Sequence, residues 1–373
     1  MRIKQLQLMN FRNYPQLHLL PDDGLCVLTG DNAAGKTNVL ESIFLCALGR
    51  SHRTPRDAEL VLDGEEYGMA ALTLDTLGGT RTISIKLSTK EKKRILIDGT
   101  QLARSGELMG CLNVVMFAPE DLMLVKGGPG ERRRFMDMEL SQLKPSYYYT
   151  LQRYNEALKQ RNALLKLDDP GVMGQLDPWD EQLSRLGAAI TRERADFLEQ
   201  LTGIAGRVHL KLSGNQETLV LSYHPNLPEI APEELEGEML RRLREAREKD
   251  LFRGATSVGP HRDDIDMVLD GTDVRTYGSQ GQQRTVVLSL KLSELALMQE
   301  LKGESPVLLL DDVFSELDRK RQRLLLEAVR GCQTFITCTH LEELEEAGLE
   351  ASGEYEELAM QVYYVEDGNV TEV

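Results

Sequence analysis

The sequence contains few aromatic residues and no long apolar segment. Phenylalanine, tryptophan and tyrosine make up 5% of the 373 residues, and there is one tryptophan. No segment approaches the roughly 20 apolar residues that a membrane-spanning helix needs, and the first residues lack the continuous apolar core of a secretion signal. We therefore expect neither a membrane protein nor a secreted one, and we predict a cytoplasmic protein without a membrane partner.

The cysteines form no recognisable framework. There are five, an odd number, and no two of them have the CxxC spacing of a zinc or redox pair. They lie within apolar segments, which is typical of buried reduced thiols. The sequence therefore predicts neither a zinc site nor a disulfide. The cysteines are Cys26, Cys46, Cys111, Cys332 and Cys338.

Positive charge is also scarce. The chain has 44 Lys and Arg against 60 Asp and Glu, which gives a net charge of -16. A field of this sign repels phosphate, so any contact with DNA must be local. Four short basic clusters are candidates for such a contact, although an ordinary solvated surface would show the same pattern. The clusters are Arg50–Arg56, Lys90–Arg94, Arg132–Arg134 and Arg241–Arg247.

Strand and helix patterns alternate at both ends of the chain. The first part has the strands IKQLQL and LHLL, the apolar strand Leu25–Gly30, a helix over Lys36–Leu48 and a β-meander over Gly68–Asp98. The last part has the strand IDMVLDG, a helix over Gly281–Lys302, the strand PVLLLDD, another helix, the strand TFITCT and a polar tail. This order predicts an α/β fold with a mostly parallel sheet packed by helices.

The middle of the chain has a different character. Long helical patterns cover Tyr147–Leu167, Trp179–Val208 and Glu233–Phe252, and the short segments HLKLS and TLVLSY are predicted to be strands. We predict a discontinuous domain formed by residues 1–118 and 256–373. An inserted, mainly helical arm domain is predicted at residues 119–255.

A glycine-rich segment joins the first apolar strand to the helix that begins at Lys36. Its sequence GDNAAGKT fits the pattern G-x-x-x-x-G-K-[ST] in the required context of strand, loop and helix. In such a loop the backbone N–H groups bind phosphates, Lys36 reaches the β and γ phosphates of ATP, and Thr37 coordinates Mg²⁺. A glycine turn that only caps a helix is the alternative. The predicted nucleotide-binding residues here are Gly30, Asp31, Asn32, Ala33, Ala34, Gly35, Lys36, Thr37 and Asn38.

Two acids end the apolar strand VLLLDD. Asp311 and Asp312 should lie at the edge of the sheet where parallel strands end, which is where a magnesium shell would form. We expect Asp311 to hold Mg²⁺ through water, and Asp312 to orient or polarise the attacking water. Buried strands often end in aspartate, so this prediction depends on the phosphate-binding loop that accompanies it.

A second phosphate-binding helix start is predicted at GSQGQQR. Ser279 and Gly281 would offer a hydroxyl and N–H donors to a phosphate, and Gln282 is included in the same predicted site. Two such helix starts of one chain would have to face each other to share one nucleotide. The two motifs resemble those of ABC-type ATPases, and that resemblance implies a dimer in which each site pairs Lys36 of one copy with Ser279 of the other.

Two further features complete the set in chain order. SELD ends at Asp318, which we include among the predicted nucleotide-binding residues. His340 follows the strand TFITCT, which is expected beside the strand of Asp311, and this position fits a sensor of the γ-phosphate. A single histidine after a strand is more often structural, and that alternative stays open.

Several strings along nearly the whole chain resemble the RecF family of bacterial recombination and repair proteins. They are NFRNY, GRSHRT, FAPEDL, GPGERRRFMD, GPHRDD, SQGQQRT and LLLDDVFSELD. More broadly, the motifs resemble the ABC-type ATPase heads of the SMC and Rad50 class. The resemblance implies an ABC-type ATPase head with a mixed sheet and helices, plus the inserted helical domain. Pro170 and Pro178 interrupt the middle segment, which favours a short arm over a long coiled coil.

The resemblance also implies an activity. Members of this family are ATP-dependent DNA-binding proteins of DNA replication, recombination, repair and the SOS response. The implied protein binds gapped DNA or a junction of single and double strands as an ATP-induced homodimer. It hydrolyses ATP weakly, with Mg²⁺ and with stimulation by DNA, and with RecO and RecR it promotes the loading of RecA.

The sequence departs from related ATPases in three places. Asp312 stands where ABC transporters have the longer glutamate, which suggests slow hydrolysis. SQGQQ replaces the LSGGQ of transporters. A Q-loop glutamine is not evident, and Glu120 in FAPEDL is the candidate metal-contacting residue in its place.

Three polar residues near the phosphate-binding loop have two open interpretations. Arg12 and Asn13 are predicted to line the nucleotide pocket, and Arg53 to reach a phosphate or the opposing subunit. Each could equally be a surface residue paired with one of the many acids.

Two other functions remain as alternatives at this point. The first is the nucleotide-binding subunit of an ABC transporter, although the segment between Thr37 and Ser279 is much longer than the insert of that design. The second is a scaffold with a purely structural ATP site. An intact set of catalytic and binding residues argues against such a scaffold. The set is Lys36, Thr37, Asp311, Asp312 and His340.

Overall fold

The structure is a computed structural model that describes residues 1–167, 171–342, 344 and 360–373. By their contacts, the described residues divide into two units, Met1–Asp121 with Leu290–Val373, and Leu122–Ser289. The second unit ends at Ser289, which is later in the chain than the limit predicted at 255/256. One reason is that strand Asp264–Leu269 pairs with Leu219–His224 inside the second unit. The predicted domain limits themselves stay a prediction.

The first unit is built on two β-sheets. Its strands are β1 (Arg2–Phe11), β2 (Tyr14–Leu19), β3 (Leu25–Thr29), β4 (Tyr67–Thr76), β5 (Gly79–Ser88), β6 (Arg94–Ile97), β7 (Thr100–Gln101), β8 (Val114–Phe117), β12 (Val307–Asp311), β13 (Thr334–Cys338), β14 (Met360–Glu366) and β15 (Asn369–Glu372). The first sheet is antiparallel, in the order β2-β1-β4-β5-β6-β7, and contains the predicted meander. The second has the order β15-β14-β3-β13-β12-β8, and only β15 in it is antiparallel to its neighbour.

The second sheet determines where the predicted site residues lie. Strands β3, β8, β12 and β13 are buried at every position, and such strands appear in the sequence as continuous apolar runs. Because these strands are parallel, their carboxyl ends meet at one edge of the sheet. The α/β fold predicted from the sequence is confirmed.

The structure corrects the predicted polar tail at the C-terminus. Met360–Glu366 forms β14, which pairs in parallel with β3 from Met360 beside Leu25 to Tyr364 beside Thr29. One side of this strand is buried and the other is solvated: Tyr363 and Val365 are buried, whereas Met360 and Tyr364 are exposed. The segment MQVYYVE does carry residues typical of a strand, and the prediction of a polar tail overlooked them.

Helices supply most of the second unit, and they also pack in the first. The helices are α1 (Lys36–Leu48), α2 (Met123–Lys126), α3 (Pro129–Leu143), α4 (Pro145–Leu164), α5 (Val172–Gln175), α6 (Asp177–Leu212), α7 (Leu235–Glu245), α8 (Arg247–Arg253), α9 (Val274–Tyr277), α10 (Gln280–Lys302) and α11 (Arg319–Val329). A three-stranded antiparallel sheet joins those of the second unit, in the order β11 (Thr272–Asp273), β10 (Asp264–Leu269) and β9 (Leu219–His224). Within the described ranges, no helix has both the length and the apolar composition to cross a membrane.

Two predictions for the middle of the chain were wrong in detail. HLKLS is not a strand, because it forms the last turns of α6, where Ala205, His209 and Leu212 continue the buried helical stripe. An alternation of only five residues is too short to outweigh that stripe. The helix predicted over Glu233–Phe252 is two helices, α7 and α8, which meet at Ala246.

A buried ion cluster joins the helices of the second unit. Arg161 on α4 is fully buried, as are the two carboxylates that it contacts. Its Nε donates to Asp180 Oδ1 at 2.7 Å, and its Nη1 donates to Asp250 Oδ2 at 2.8 Å and to Thr256 Oγ1 at 2.9 Å. Each partner compensates the desolvation of the other, so removal of one member leaves buried charge without compensation.

We predict that Arg161→Met destabilises the protein by about 3 to 5 kcal/mol, because it leaves Asp250 as a buried charge that has lost its ion-pair partner. The free energy of unfolding from urea titration measures this loss. Arg185→Met, at an exposed position of α6, is the matched control and should change stability by less than about 0.5 kcal/mol. Equal stability of the two variants would contradict the role given to the cluster.

Candidate nucleotide-binding site

The loop between β3 and α1 has a backbone that favours glycine. Gly30, Ala33 and Gly35 have φ angles of 143°, 66° and 119°. A Cβ on Gly30 would lie 2.2 Å from the carbonyl oxygen of Val365, and one on Gly35 would lie 2.5 Å from Asn13 Nδ2. The sequence GDNAAGKT therefore meets a steric requirement of this loop, beyond its match to a motif.

The loop is arranged to receive an anion. Helix α1 has Gly35 as its N-cap, and glycine has no side chain with which to cap the first N–H groups of the helix. The ammonium of Lys36 folds over the loop and donates to the carbonyl oxygens of Gly30 at 2.5 Å and Asp31 at 2.9 Å. A cation and a helix N-terminus thus converge on one loop, which is the arrangement that binds phosphate.

Three side chains meet where β12 ends. Asp311 Oδ1 accepts a hydrogen bond from Thr37 Oγ1 at 2.8 Å and another from Thr337 Oγ1 at 2.8 Å. Thr37 belongs to the first turn of α1, and Thr337 lies opposite Asp311 in the pairing of β12 with β13. The carboxylate therefore links the phosphate-binding loop to two strands of the sheet.

Burial raises the pKa of Asp311, whose exposed fraction is 7%. The hydrogen bonds from Thr337 and Thr37 oppose this rise, whereas the negative charges of Glu120 and Asp312 add to it. A carboxylate in this environment gains from a cation beside it. The Thr37 hydroxyl and the Asp311 carboxylate lie 2.8 Å apart. Their oxygens are of the kind that Mg²⁺ takes as ligands, together with phosphate oxygens and water.

The protein supplies only part of such a metal shell. Within the described part of the chain, no three His, Cys, Asp or Glu side chains converge to form a metal cage. Glu120, the predicted third metal contact, is exposed in the turn Pro119–Leu122 that follows β8. The arrangement suits Mg²⁺ that arrives with a nucleotide, because Mg²⁺ keeps several water and phosphate ligands.

The backbone of Asp312 is strained. Its φ is 52°, a left-handed conformation that is uncommon for residues other than glycine. Its N–H donates to Thr337 Oγ1 at 2.9 Å, which stabilises the turn. Thr337 thus contacts both acids, although a buried threonine at a strand end gives no local signal in the sequence. Strain of this kind is often concentrated at functional sites.

A buried glutamate lies behind the loop. Glu41 on α1 is fully buried and accepts from Arg12 Nε at 2.8 Å and Arg12 Nη2 at 2.7 Å. It also accepts from the Ser51 hydroxyl, and Arg53 Nη1 lies 3.7 Å away. Burial alone would raise the pKa of Glu41, but the hydrogen bonds from Arg12 and Ser51 outweigh it and keep the pKa below its usual value.

The same network reaches the phosphate-binding loop through two asparagines. Asn13 Nδ2 donates to the carbonyl oxygen of Ala34 at 2.8 Å, and Asn38 Nδ2 donates to Asn13 Oδ1 at 2.8 Å. Arg53 Nη1 donates to Asn38 Oδ1 at 2.9 Å. Asn13 therefore contacts the loop directly, and Arg53 reaches it through Asn38. Arg12 has the acidic partner that the alternative interpretation expected, and direct contact of these residues with a nucleotide stays a prediction.

The remaining predicted residues of the first unit lie beyond the strand ends. Thr339 follows β13 and contacts the loop, with its Oγ1 3.4 Å from Asn32 Oδ1, and exposed His340 comes next. Asp318 is the N-cap of α11 and accepts from the Arg321 N–H at 3.0 Å. Its capping contact gives Asp318 a structural role, and a role toward nucleotide stays a prediction.

The signature turn, which we define as Gly278–Arg284, lies in the second unit. Ser279 Oγ accepts from the Gln282 N–H at 3.2 Å, and Gln282 Oε1 accepts from the Ser279 N–H at 2.8 Å. These reciprocal bonds form a capping box at the start of α10. Ser279 and Gly281 are exposed, so the helix start that was predicted to bind phosphate is open to solvent in this unit.

Comparison with known proteins agrees with these motifs. The model of the RecF/RecN/SMC N-terminal domain family matches residues 2–362. The chain is 45% identical to the DNA replication and repair protein RecF of Acetivibrio thermocellus, over 92% of this chain and 95% of that protein.

Solved structures have similar folds. A structure of the recombination mediator protein RecF with ATP, in the RecFOR pathway, gives a TM-score of 0.90 at 34% identity and covers 100% of this chain and 97% of that chain. An Smc head domain from Pyrococcus furiosus, bound to the C-terminal domain of ScpA, gives a TM-score of 0.57 at 15% identity and covers 100% and 96% of the two chains. The second likeness shows the fold alone.

We predict that Glu41→Gln destabilises the protein at pH 7 by about 1 to 3 kcal/mol, because Arg12 loses its charged acceptor. The folded pKa of Glu41 lies below the usual value of 4.5. Its contribution to stability is therefore complete above pH 4.5 and is lost as the pH falls through the folded pKa. Urea unfolding of both proteins across this range should show the difference between them shrinking in acid.

The control for this pH series is Glu327→Gln, at an exposed position of α11. Its free energy of unfolding should equal that of the unmodified protein at every pH. The difference in free energy of unfolding between Glu41→Gln and the unmodified protein could instead grow as the pH falls. That result would show that the pKa of Glu41 is raised and not lowered.

Proposed function

This chain belongs to the RecF family, within the group of RecF/RecN/SMC N-terminal domains, and on that premise we propose that it is an ATP-dependent DNA-binding protein of recombinational repair. The resemblance and the ABC-type head fold predicted from the sequence are confirmed. The transporter alternative was wrong, because the relatives that match nearly the whole chain are DNA replication and repair proteins.

The observation that carries the proposal is the junction of Thr37, Asp311 and Thr337 beside the phosphate-binding loop. The triphosphate of ATP would lie along the loop, where Lys36 and the first N–H groups of α1 compensate its charge. Lys36 would exchange its bonds to the carbonyl oxygens of Gly30 and Asp31 for bonds to phosphate. The structure of RecF with ATP supports this assignment by similarity.

Hydrolysis requires a residue that activates water. We assign this role to Asp312, which follows the buried Asp311 and has its backbone fixed by Thr337. Asp312 would accept the proton of the water that attacks the γ-phosphorus, as the bond to ADP breaks. Mg²⁺, when bound at Thr37 and Asp311, would neutralise charge on the β and γ phosphates. His340 would contact the γ-phosphate, and Glu120 would complete the metal surroundings.

The signature turn would complete the site of a second copy. Because Ser279 Oγ accepts the Gln282 N–H, the hydroxyl proton of Ser279 can be donated to a phosphate. Each ATP would then lie between the phosphate-binding loop of one copy and the signature turn of the other. ATP would thus promote a homodimer, and slow hydrolysis would release it.

DNA binding and the partners follow from family membership and charge. The solved relative belongs to the RecFOR pathway, and we propose that this chain works with RecO and RecR to promote RecA loading at gapped DNA or strand junctions. The net charge of -16 means that DNA contacts must come from local basic patches. Dimerisation would bring two copies of such a patch together and raise their effective affinity. DNA would in turn stimulate the weak ATPase.

We predict that Asp312→Asn binds ATP normally and lowers the turnover number by on the order of a hundredfold, because the amide cannot accept the proton of water. Lys36→Met should instead lose ATP binding. Fluorescent ATP titration and phosphate release measure the two effects separately. Normal turnover in Asp312→Asn would show that another group activates the water.

We predict that the protein binds a fluorescent gapped duplex with ATP, and at least about tenfold more weakly with ADP or without nucleotide, at fixed salt. Ser279→Arg should bind ATP as a monomer and lose the ATP-dependent gain in DNA affinity, because arginine blocks the approach of the second copy. Light scattering gives the mass of each species. A stable ATP dimer of Ser279→Arg would contradict the composite site, and DNA binding independent of nucleotide would contradict the proposed gating.

A further inference from the structure

The side chain of Gln282 is fixed at both of its polar ends. Its Oε1 accepts the Ser279 N–H at 2.8 Å, and its Nε2 donates to Glu217 Oε1 at 2.9 Å. Glu217 lies in the segment between α6 and β9, which is distant in sequence from the signature turn. The conformation of this exposed turn is therefore fixed by a residue outside it.

The carboxylate of Glu217 is itself fixed by a buried histidine. His209 on α6 is fully buried, and its Nε2 lies 3.3 Å from Glu217 Oε2. On the other side of the ring, Nδ1 lies 2.9 Å from Ser289 Oγ on α10. Ser289 is fully buried as well.

His209 contacts a hydroxyl on one side of its ring and a carboxylate on the other. The Ser289 hydroxyl, which His209 Nδ1 contacts, also lies 2.7 Å from the carbonyl oxygen of Thr285. Nε2 then faces a carboxylate, and this contact is attractive only when a proton lies between the two atoms. A hydrogen bond from Nε2–H to Oε2 leaves Oε1 of Glu217 to accept from Gln282.

We propose that Glu217 and His209 are positioning residues that hold the signature turn in the conformation that receives the phosphate of a second copy's nucleotide. They act through Gln282, which orients Ser279, so that the Ser279 hydroxyl is presented before the two copies meet. Preorganised donors bind more tightly because less conformational freedom is lost on association. This inference rests on the proposed ATP-dependent dimer.

Two substitutions of Glu217 test whether its hydrogen bond to Gln282 is what matters, and not the negative charge of its side chain. Glu217→Ala removes the acceptor of Gln282 and should raise the ATP concentration for half-maximal dimerisation about tenfold, the loss expected from one charge-assisted hydrogen bond. Glu217→Gln should behave almost as the unmodified protein. Its oxygen can accept from Gln282, and its amide can donate to Nε2 of a neutral His209.

The dimerisation assay uses the full chain, ATP and Mg²⁺, with mass measured by light scattering. Glu199→Ala, at an exposed position of α6, is the matched control and should leave the titration unchanged. Fluorescent ATP binding to dilute monomer should be equal in all variants, since the phosphate-binding loop is untouched. If Glu217→Ala does not fold, Glu217→Asp, which is shorter by one methylene, replaces it.

Hydrogen exchange without nucleotide tests the inference independently of dimerisation. Glu217→Ala should speed amide exchange at Ser279 and Gln282 by about tenfold, and Glu217→Gln should not. Unchanged exchange and unchanged dimerisation in Glu217→Ala would overturn the inference, as would equal defects in the alanine and glutamine variants. The two ideas can also fail separately. If exchange is faster in Glu217→Ala but the unmodified protein does not dimerise with ATP, the positioning role is supported and the proposed ATP-dependent dimer is rejected.

Discussion

The buried carboxylate of Asp311 is the interaction on which the candidate site depends. Two threonine hydroxyls share one of its oxygens, one from the start of α1 and one from β13. A carboxylate removed from water is costly unless it is hydrogen-bonded, so these contacts fix the loop and the two strands together. The geometry of the phosphate-binding loop is thus determined by the sheet as well as by its glycines.

Strain and close approach accompany this arrangement. Asp312 adopts a left-handed conformation that costs on the order of 1 to 3 kcal/mol, and the hydrogen bond from its N–H to Thr337 offsets part of it. Gly30 lies against the carbonyl oxygen of Val365, a residue of strand β14. A strand near the C-terminus therefore restricts the side chain that the first residue of the phosphate-binding loop can carry.

Buried charge has a similar purpose elsewhere in this acid-rich chain. Glu41 fixes Arg12 behind the loop, Arg161 joins the helices of the second unit, and the pair of His209 and Glu217 fixes the signature turn. In each case an ionised group is surrounded by directed hydrogen bonds and not by apolar packing alone. Such groups define one arrangement of the surrounding elements, because any other arrangement leaves a polar atom without a partner.

Sequence alone determined the elements whose signals are local. Continuous apolar runs identified β3, β12 and β13, and GDNAAGKT, SQGQQR and VLLLDD identified the motif residues. The resemblance to the family came from longer strings such as NFRNY and GPHRDD. The tertiary structure decided the rest: the β14 strand, the helical state of HLKLS, and the partners Thr337, Glu41 and Glu217. Thr37 and Asp311 are 274 positions apart, so their contact depends on strand order. A one-sided strand and a buried polar contact arise only when distant segments pack, because their stabilising free energy comes from neighbours that the local sequence does not contain.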